Sequence, residues 1–391
     1  MINRRHFLAS AAALPFVRAA RAADTPGVTA KEIKIGQTMP YSGPASSYGV
    51  IGKTEAAYFR MINETGGING RSINLISLDD GYSPPKTVEQ EQVAFLFNTL
   101  GTAPNLAIRD YCNLNKVPQL FVATGASVFS DPEHFKYTVG FNPNYHTEAR
   151  IYAKHILATK PDAKIAILYQ NDGFGKDYLA GLKDGLGAEH GEMIVKEATY
   201  ETTEPTIDSQ VVTLQASGAD VLLLAATPKF AAQAIRKSYD LGFAGARYLS
   251  NVSPSIAAVL KPAGLEKSKG LITAYYSKDA TDPHWADDAD MKDWSAFCDK
   301  YLSHVTITDS NAVFAYTAAQ LMTDVLKKCG DDLSRDNILA QATNVRNLHV
   351  GMMLPGQSLN TSATNYSPIR QMQLATFSGQ SWELFGELIQ G

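Results

Sequence analysis

Residues 164–186 read KIAILYQNDGFGKDYLAGLKDGL. The run 164–169 is apolar almost without interruption. That is the pattern of a parallel strand covered on both faces rather than of a half-exposed one. A glycine-containing turn follows, and 174–186 reads as a helix. A strand, a short turn and a helix packed back on the strand make one α/β unit.

The same unit recurs in both directions. Strand-like runs occur at 33–37, 73–78, 93–97, 118–123 and 136–139, and again at 164–169, 193–198, 219–225, 247–250 and 270–274. Helical patterns lie between them at 48–64, 104–115, 174–186, 208–217 and 230–241. In the first, Ile51, Tyr58, Met61 and Ile62 share a face and Gly66-Gly67 ends the run. In the second, Pro104 suits the first helical position. Two longer helical patterns follow at 290–303 and 311–328. The tail differs, because 371–377 and 382–385 read as strands around a Ser378-Gly379 turn.

Five units followed by five more predict two α/β lobes with parallel sheets. No linker rich in Pro, Gly or Ser divides them. The chain instead passes between lobes near 140–144, 274–277 and 352–356. The first lobe is expected to comprise 31–142 plus 275–352, and the second 143–274 plus 353–391. Several narrow crossings make a hinge, and a hinge between two α/β lobes makes a cleft. One spacing is irregular: Ile73 to Val93 leaves room only for a stubby crossover helix at 86–92, after Pro84-Pro85.

The bulk figures agree. The chain has 391 residues, too long for one ordinary domain. With 45% hydrophobic and 19% charged residues it can build a sizeable core. No basic stripe points to nucleic acid. Residues 1–23 carry Arg4-Arg5, an apolar run over 7–17 and Ala20-Arg21-Ala22, which reads as an export signal cleaved near Ala22 or Ala23. The run is too short to span a bilayer. Arg4-Arg5-His6-Phe7-Leu8 looks like a twin-arginine motif, though an ordinary secretion signal with paired arginines has the same appearance. Removing the four arginines of this segment, which holds no acid, takes the net charge from −4 to −8.

No catalytic constellation emerges. Gly173-Phe174-Gly175-Lys176 lacks the further glycines and the hydroxyl of a phosphate loop. Ser83-Pro84-Pro85-Lys86 has no companion motif. The eight histidines are scattered, and His146 and His155 read as surface or capping residues. Asp79-Asp80 reads as a loop cap, and Cys112 as a buried apolar side chain. The three cysteines show no metal or disulfide spacing. What converges is a set of small, hydroxyl-bearing loops at strand ends, where open α/β sheets bind ligands. These are Pro40-Tyr41-Ser42-Gly43-Pro44 leading to Tyr48, Leu100-Gly101-Thr102-Ala103-Pro104, and Ala123-Thr124-Gly125-Ala126-Ser127. Free N–H groups near helix starts suit a carboxylate.

Taken together, Ile33-Lys34-Ile35-Gly36, Pro40-Tyr41-Ser42-Gly43-Pro44, Ile62-Asn63 with Gly66-Gly67-Ile68-Asn69-Gly70-Arg71, and Asp79-Asp80 resemble the branched-chain amino acid-binding proteins of ABC importers. Val117-Pro118, Asp172-Gly173-Phe174-Gly175 and Ser217-Gly218-Ala219-Asp220 extend the likeness over almost all of 31–388. The resemblance implies the type I periplasmic-binding-protein fold: two Rossmann-like lobes, a three-segment hinge and a ligand clamped between. It implies a periplasmic, monomeric, non-enzymatic protein without metal or cofactor, whose partners are inner-membrane permease subunits with their ATPases. By motif, Tyr48 and Thr102 look like first-lobe contacts, Ala123, Thr124 and Gly125 like a clamp on a carboxylate, and Phe174 like an aromatic facing the ligand. By looser likeness, Asn144, Thr227, Asn251 and Tyr275 join the pocket.

Two departures matter. The helix after Asp79-Asp80 is about seven or eight residues shorter than the family's. The family also sets acidic residues against the ammonium of an amino acid, whereas Asn144, Thr227 and Asn251 offer no carboxylate. An unpaired ammonium in a closed cleft is costly. The expected ligand is therefore a branched-chain amino acid or a related small carboxylate, with aromatic or aliphatic acids or amides as the alternative. A ligand sensor with the same fold is the other reading.

Overall fold

A computed structural model describes residues 25–83, 92–303, 305 and 307–390. The export signal expected at 1–23 lies outside the described residues, as does most of the stubby helix expected at 86–92.

The first sheet holds β1 (Glu32–Met39), β2 (Ser72–Asp79), β3 (Leu96–Phe97), β4 (Gln119–Val122) and β5 (Thr138–Gly140), all parallel, in the order β2-β1-β3-β4-β5. Between them run α1 (Gly49–Glu64) and α2 (Thr102–Leu114). The second sheet begins after α3 (Tyr145–Thr159). It takes β6 (Ile165–Gln170), α4 (Gly173–Leu186), β7 (Ile194–Tyr200), α5 (Asp208–Ala216), β8 (Val221–Ala225), α6 (Pro228–Asp240) and β9 (Ala246–Leu249). Two short helices, α7 (Lys261–Ala263) and α8 (Leu265–Ser268), lead to β10 (Leu271–Tyr275). Its five parallel strands run β7-β6-β8-β9-β10. Relative to chain order this repeats the arrangement of the first sheet, so the two lobes are built to one plan.

The chain then returns. Helices α9 (Ala289–Tyr301), α10 (Ser310–Cys329) and α11 (Arg335–Ala342) join the first lobe. Tyr316 of α10 packs edge-on against Tyr58 of α1 at 5.4 Å between ring centres. Arg335 of α11 donates to the carbonyls of Val93 and Ala94, at 2.9 and 2.8 Å. Finally β11 (Gln371–Phe377) and β12 (Trp382–Gln390) close the second sheet as an antiparallel hairpin beside β10. The second and third crossings run side by side. Lys278 N–H donates to Met352 and Leu354 N–H to Tyr276, at 2.7 and 3.2 Å.

Strands β4, β6 and β8 are buried at every position. That is why they read as unbroken apolar runs. Four details differ from the sequence reading. Only Leu96–Phe97 of 93–97 pairs as a strand. Pro104 is the third residue of α2, which starts at Thr102. The helices α3, α7, α8 and α11 were not anticipated. The last strand runs on to Gln390. Cys112, Cys298 and Cys329 are all buried and unbridged. Among the described residues no helix is long and apolar enough to cross a membrane, and no cluster could hold a metal.

Candidate ligand cleft between the lobes

A cavity lined by aromatic rings lies where both sheets end. It encloses about 710 Å³, counted out to its open mouth. Its floor in the first lobe is set by two turns. Gly101 takes a φ of 99°, a left-handed value that favours glycine, and delivers Thr102 to the first position of α2. Strand β4 bulges against β5 between Gln119 and Val122, with Phe121 at a φ of 54°. Ala123 emerges from that bulge onto the cleft wall.

Of the ten residues expected at the site, seven line this cavity: Tyr48, Thr102, Ala123, Phe174, Thr227, Asn251 and Tyr275. Three do not, and each has a structural task instead. Thr124 is 1% exposed. Its hydroxyl bonds that of Thr102 at 2.7 Å and accepts from Ala126 N–H. Gly125 lies where any Cβ would come 2.0 Å from the Pro143 carbonyl oxygen, so only glycine fits there. Asn144 caps α3, its side-chain oxygen accepting from Thr147 N–H at 3.0 Å. The clamp once expected from three consecutive residues reduces to Ala123 on the wall and Thr124 behind Thr102.

The sequence reading missed other lining residues, among them Tyr82, Asn142, Tyr145, Tyr276, Asn311 and Phe314. Asn142 and Tyr276 sit on chain crossings already marked as hinge, and Asn311 opens a helix already marked. Crossings meet in the cleft, so their side chains were the available signal. Tyr145 stacks nearly parallel to Tyr178 at 5.2 Å and edge-on to Phe174 at 5.0 Å. This holds Phe174 against the cavity.

No described residue lining the cavity is charged. Glu148, Asp172 and Asp309 stand close behind the wall and take local donors, though both donors to Asp309 go to its Oδ1. Asp172 caps α4 through Phe174 N–H at 3.0 Å and takes Gln170 Nε2–H at 2.7 Å. Asp309 takes Asn311 N–H and the Ser255 hydroxyl, at 3.0 and 2.9 Å. Glu148, fully buried, accepts from Tyr178, from Tyr152 and from Asn251 N–H. Burial pushes its carboxyl up to about 7. The other wall atoms are less content. Among the described residues Asn142 Oδ1 and Asn251 Oδ1 are buried with no hydrogen-bond partner. Asn311 Nδ2 lies near the Asp309 carboxylate yet outside bonding geometry.

The lobes touch around the cleft. Tyr48 donates its hydroxyl to the Val252 carbonyl at 3.0 Å. Ser127, just after β4, gives its N–H and hydroxyl to the carboxylate of Asp177 on α4, at 3.0 and 2.6 Å.

Two α/β lobes of one strand order, three crossings and a cavity between them define a two-lobe ligand binder. The sequence matches the periplasmic binding protein family over residues 32–381, and the chain belongs to that family. A curated relative, Leu/Ile/Val-binding protein homolog 3 of Brucella melitensis, is 25% identical over 49% of this chain and 53% of its own length. An amino acid binding protein of Pseudomonas aeruginosa is 25% identical over 56% of this chain and 60% of its own length. Each match thus spans little more than half of the relative. Among solved structures, a branched chain amino acid ABC transporter from Thermus thermophilus with bound valine superposes with a TM-score of 0.82. It is 15% identical and covers 92% of this chain and 97% of its own. A fatty acid ABC transporter substrate-binding protein from Thermomonospora curvata gives 0.80 at 22% identity, covering 95% of each chain. At such identities these likenesses show the fold alone.

Proposed function

We propose that this chain is the exported, periplasmic solute-binding component of an ABC importer, working as a monomer. It captures a small ligand between its lobes and delivers it to permease subunits driven by their ATPases. Family membership and the interlobe cleft support the binding role, and no described group of side chains supports catalysis.

The observation that carries the ligand class is the uncharged wall. Seven aromatic rings, including Tyr48, Tyr82, Tyr145 and Phe174, face a cavity with no ionised side chain among the described residues. An apolar body gains from such rings both through buried area and through about 0.5–1.5 kcal/mol of ring-on-ring preference where it is aromatic. An ammonium would lose its water with no carboxylate on the wall itself to receive it, and the nearby Glu148 and Asp172 are taken up by local donors. The ligand is therefore a small carboxylic acid or amide with an apolar body and no ammonium. Its polar end meets the Thr102 hydroxyl and the Ala123 wall.

The names of the Leu/Ile/Val-binding relatives favour a second reading, in which a branched-chain amino acid binds and neutral acceptors stand in for the acid. Thermal shift with leucine, valine, phenylalanine, benzoate, phenylpropanoate and isobutyramide separates the two, because a bound ligand adds RT ln(1 + [L]/Kd) of stability. Stabilisation by acids or amides with no response to leucine is the expected result. Submicromolar leucine binding without response to the others sinks the first reading.

A further inference from the structure

Among the described residues three wall atoms are unpartnered: the donor Asn311 Nδ2, which could meet a ligand carbonyl, and two acceptors, Asn142 Oδ1 and Asn251 Oδ1. The two acceptors come from distant parts of the chain, one on the first crossing and one just past β9. Both residues line the same cavity. Asn251 is only 8% exposed. Its amide nitrogen makes nothing stronger than a 3.8 Å contact with the Met372 sulfur. Its backbone N–H is pinned to Glu148 at 2.9 Å, so the residue is held firmly while its side-chain oxygen accepts nothing. A buried acceptor left unmade is expensive, and native structures rarely keep one without a use.

Two neutral carbonyl oxygens ask for N–H or O–H donors. They disfavour a carboxylate, whose lone pairs would oppose theirs. They are also a poor answer to an ammonium, since they bring dipoles and no compensating charge. A group with donors but no charge suits them, and a carboxamide has two N–H bonds for two such oxygens.

Resting on the binding role proposed above, we infer that Asn142 and Asn251 read an uncharged N–H donor, so that the ligand is a small carboxamide with an apolar body rather than the matching acid or amino acid. The rings take the body and the asparagine pair takes the amide. The pair sets specificity by leaving the wrong head group unpaired, a discrimination that hydrogen-bonding sites achieve far better than apolar ones.

The test is calorimetry on the mature protein with isobutyramide and benzamide, against isobutyrate, benzoate and leucine. Amides should bind about tenfold or more tighter than the corresponding acids, the ratio expected when a buried acceptor is paired in one complex and not in the other. Asn251→Leu and Asn142→Leu should each weaken the amide and, by removing opposing lone pairs, strengthen the acid, so that the amide-to-acid ratio narrows towards one. Should Asn251→Leu fail to fold, Asn142→Leu and the wild-type comparison still decide. Acids equal to or tighter than amides, or leucine tightest of all, overturns the inference and leaves the binding role standing. A folded wild-type protein that binds none of the five compounds, nor any of the wider thermal-shift panel, overturns both.

Discussion

Thr102 and Thr124 share a hydrogen bond of 2.7 Å, and each is 1% exposed. Only Thr102 reaches the cavity. Thr102→Ala should weaken ligand binding by on the order of 1–3 kcal/mol, through the lost contact and the unpaired Thr124 hydroxyl. Thr102→Ser, which keeps the hydroxyl, should recover most of it in the same titration. Glu148 offers a test by pH. Burial raises its carboxyl from 4.5 to about 7 in the folded protein. A raised folded value means that the proton favours the fold. That contribution is fully present below about pH 4.5 and is lost as pH rises through about 7. The neighbours accommodate the protonated form. Tyr152 can turn its O–H to donate to the Leu249 carbonyl, 2.8 Å away, while it accepts from Ala274 N–H. Glu148→Gln is permanently neutral. Its stability relative to wild type should rise by on the order of 3 kcal/mol between pH 5 and pH 8 in urea unfolding. A difference that does not move with pH would show that Glu148 stays ionised.

The elements that were legible from the sequence are those whose local pattern agrees with their burial. Strands β6 and β8, buried throughout, read as unbroken apolar runs, and β11 was read at its actual limits. Helix α3 was not legible, and Glu148 is the reason. The helix buries Tyr145, Glu148, Ala149, Ile151, Tyr152, Ala153 and Ile156, a continuous face with an acid in its first turn. Pattern reading counts that acid as a solvent-facing position and breaks the stripe. Asn144, placed in the pocket by looser likeness to the family, caps α3 with its side chain. The two roles separate by experiment. Asn144→Ala should lower stability by about 1 kcal/mol, the usual loss for a removed cap, and leave ligand affinity within error in calorimetry. Affinity that falls with stability preserved would return Asn144 to the site. In the cleft as a whole, motif loops and the marked crossing at 140–144 found the walls, but the Tyr145 contribution depends on how α3 leaves that crossing, which no local pattern encodes.

For the whole molecule, the balance between open and closed lobes rests on few contacts. Ser127 supplies an N–H and an O–H to the half-buried carboxylate of Asp177, away from the cavity wall. Hydrogen bonds to a charged group are worth roughly 1.5–3 kcal/mol. Asp177→Ala should shift the ligand-free protein towards the open form, seen as a larger radius of gyration in solution scattering, and raise Kd several-fold without touching the ligand. An unchanged radius and Kd would mean that the other bonds between the lobes, such as Tyr48 to Val252 and Ser255 to Asp309, hold them without it.

The return of the chain also bears on how this protein is made. The helix that covers α1 is α10, at Ser310–Cys329, and the hairpin that seals the second sheet ends at Gln390. Neither core can therefore be completed from its own stretch of sequence. On the ribosome the first lobe waits for some two hundred further residues after β5, and the second waits for residues 371–390, including Trp382, fully buried against Phe377 and Tyr275. Each core is therefore finished late, the first only once α10 has emerged and the second only once β12 has. Were the chain exported as proposed, a translocation machine that takes threaded chains would meet it before it has a core, and one that takes folded molecules would have to wait for β12.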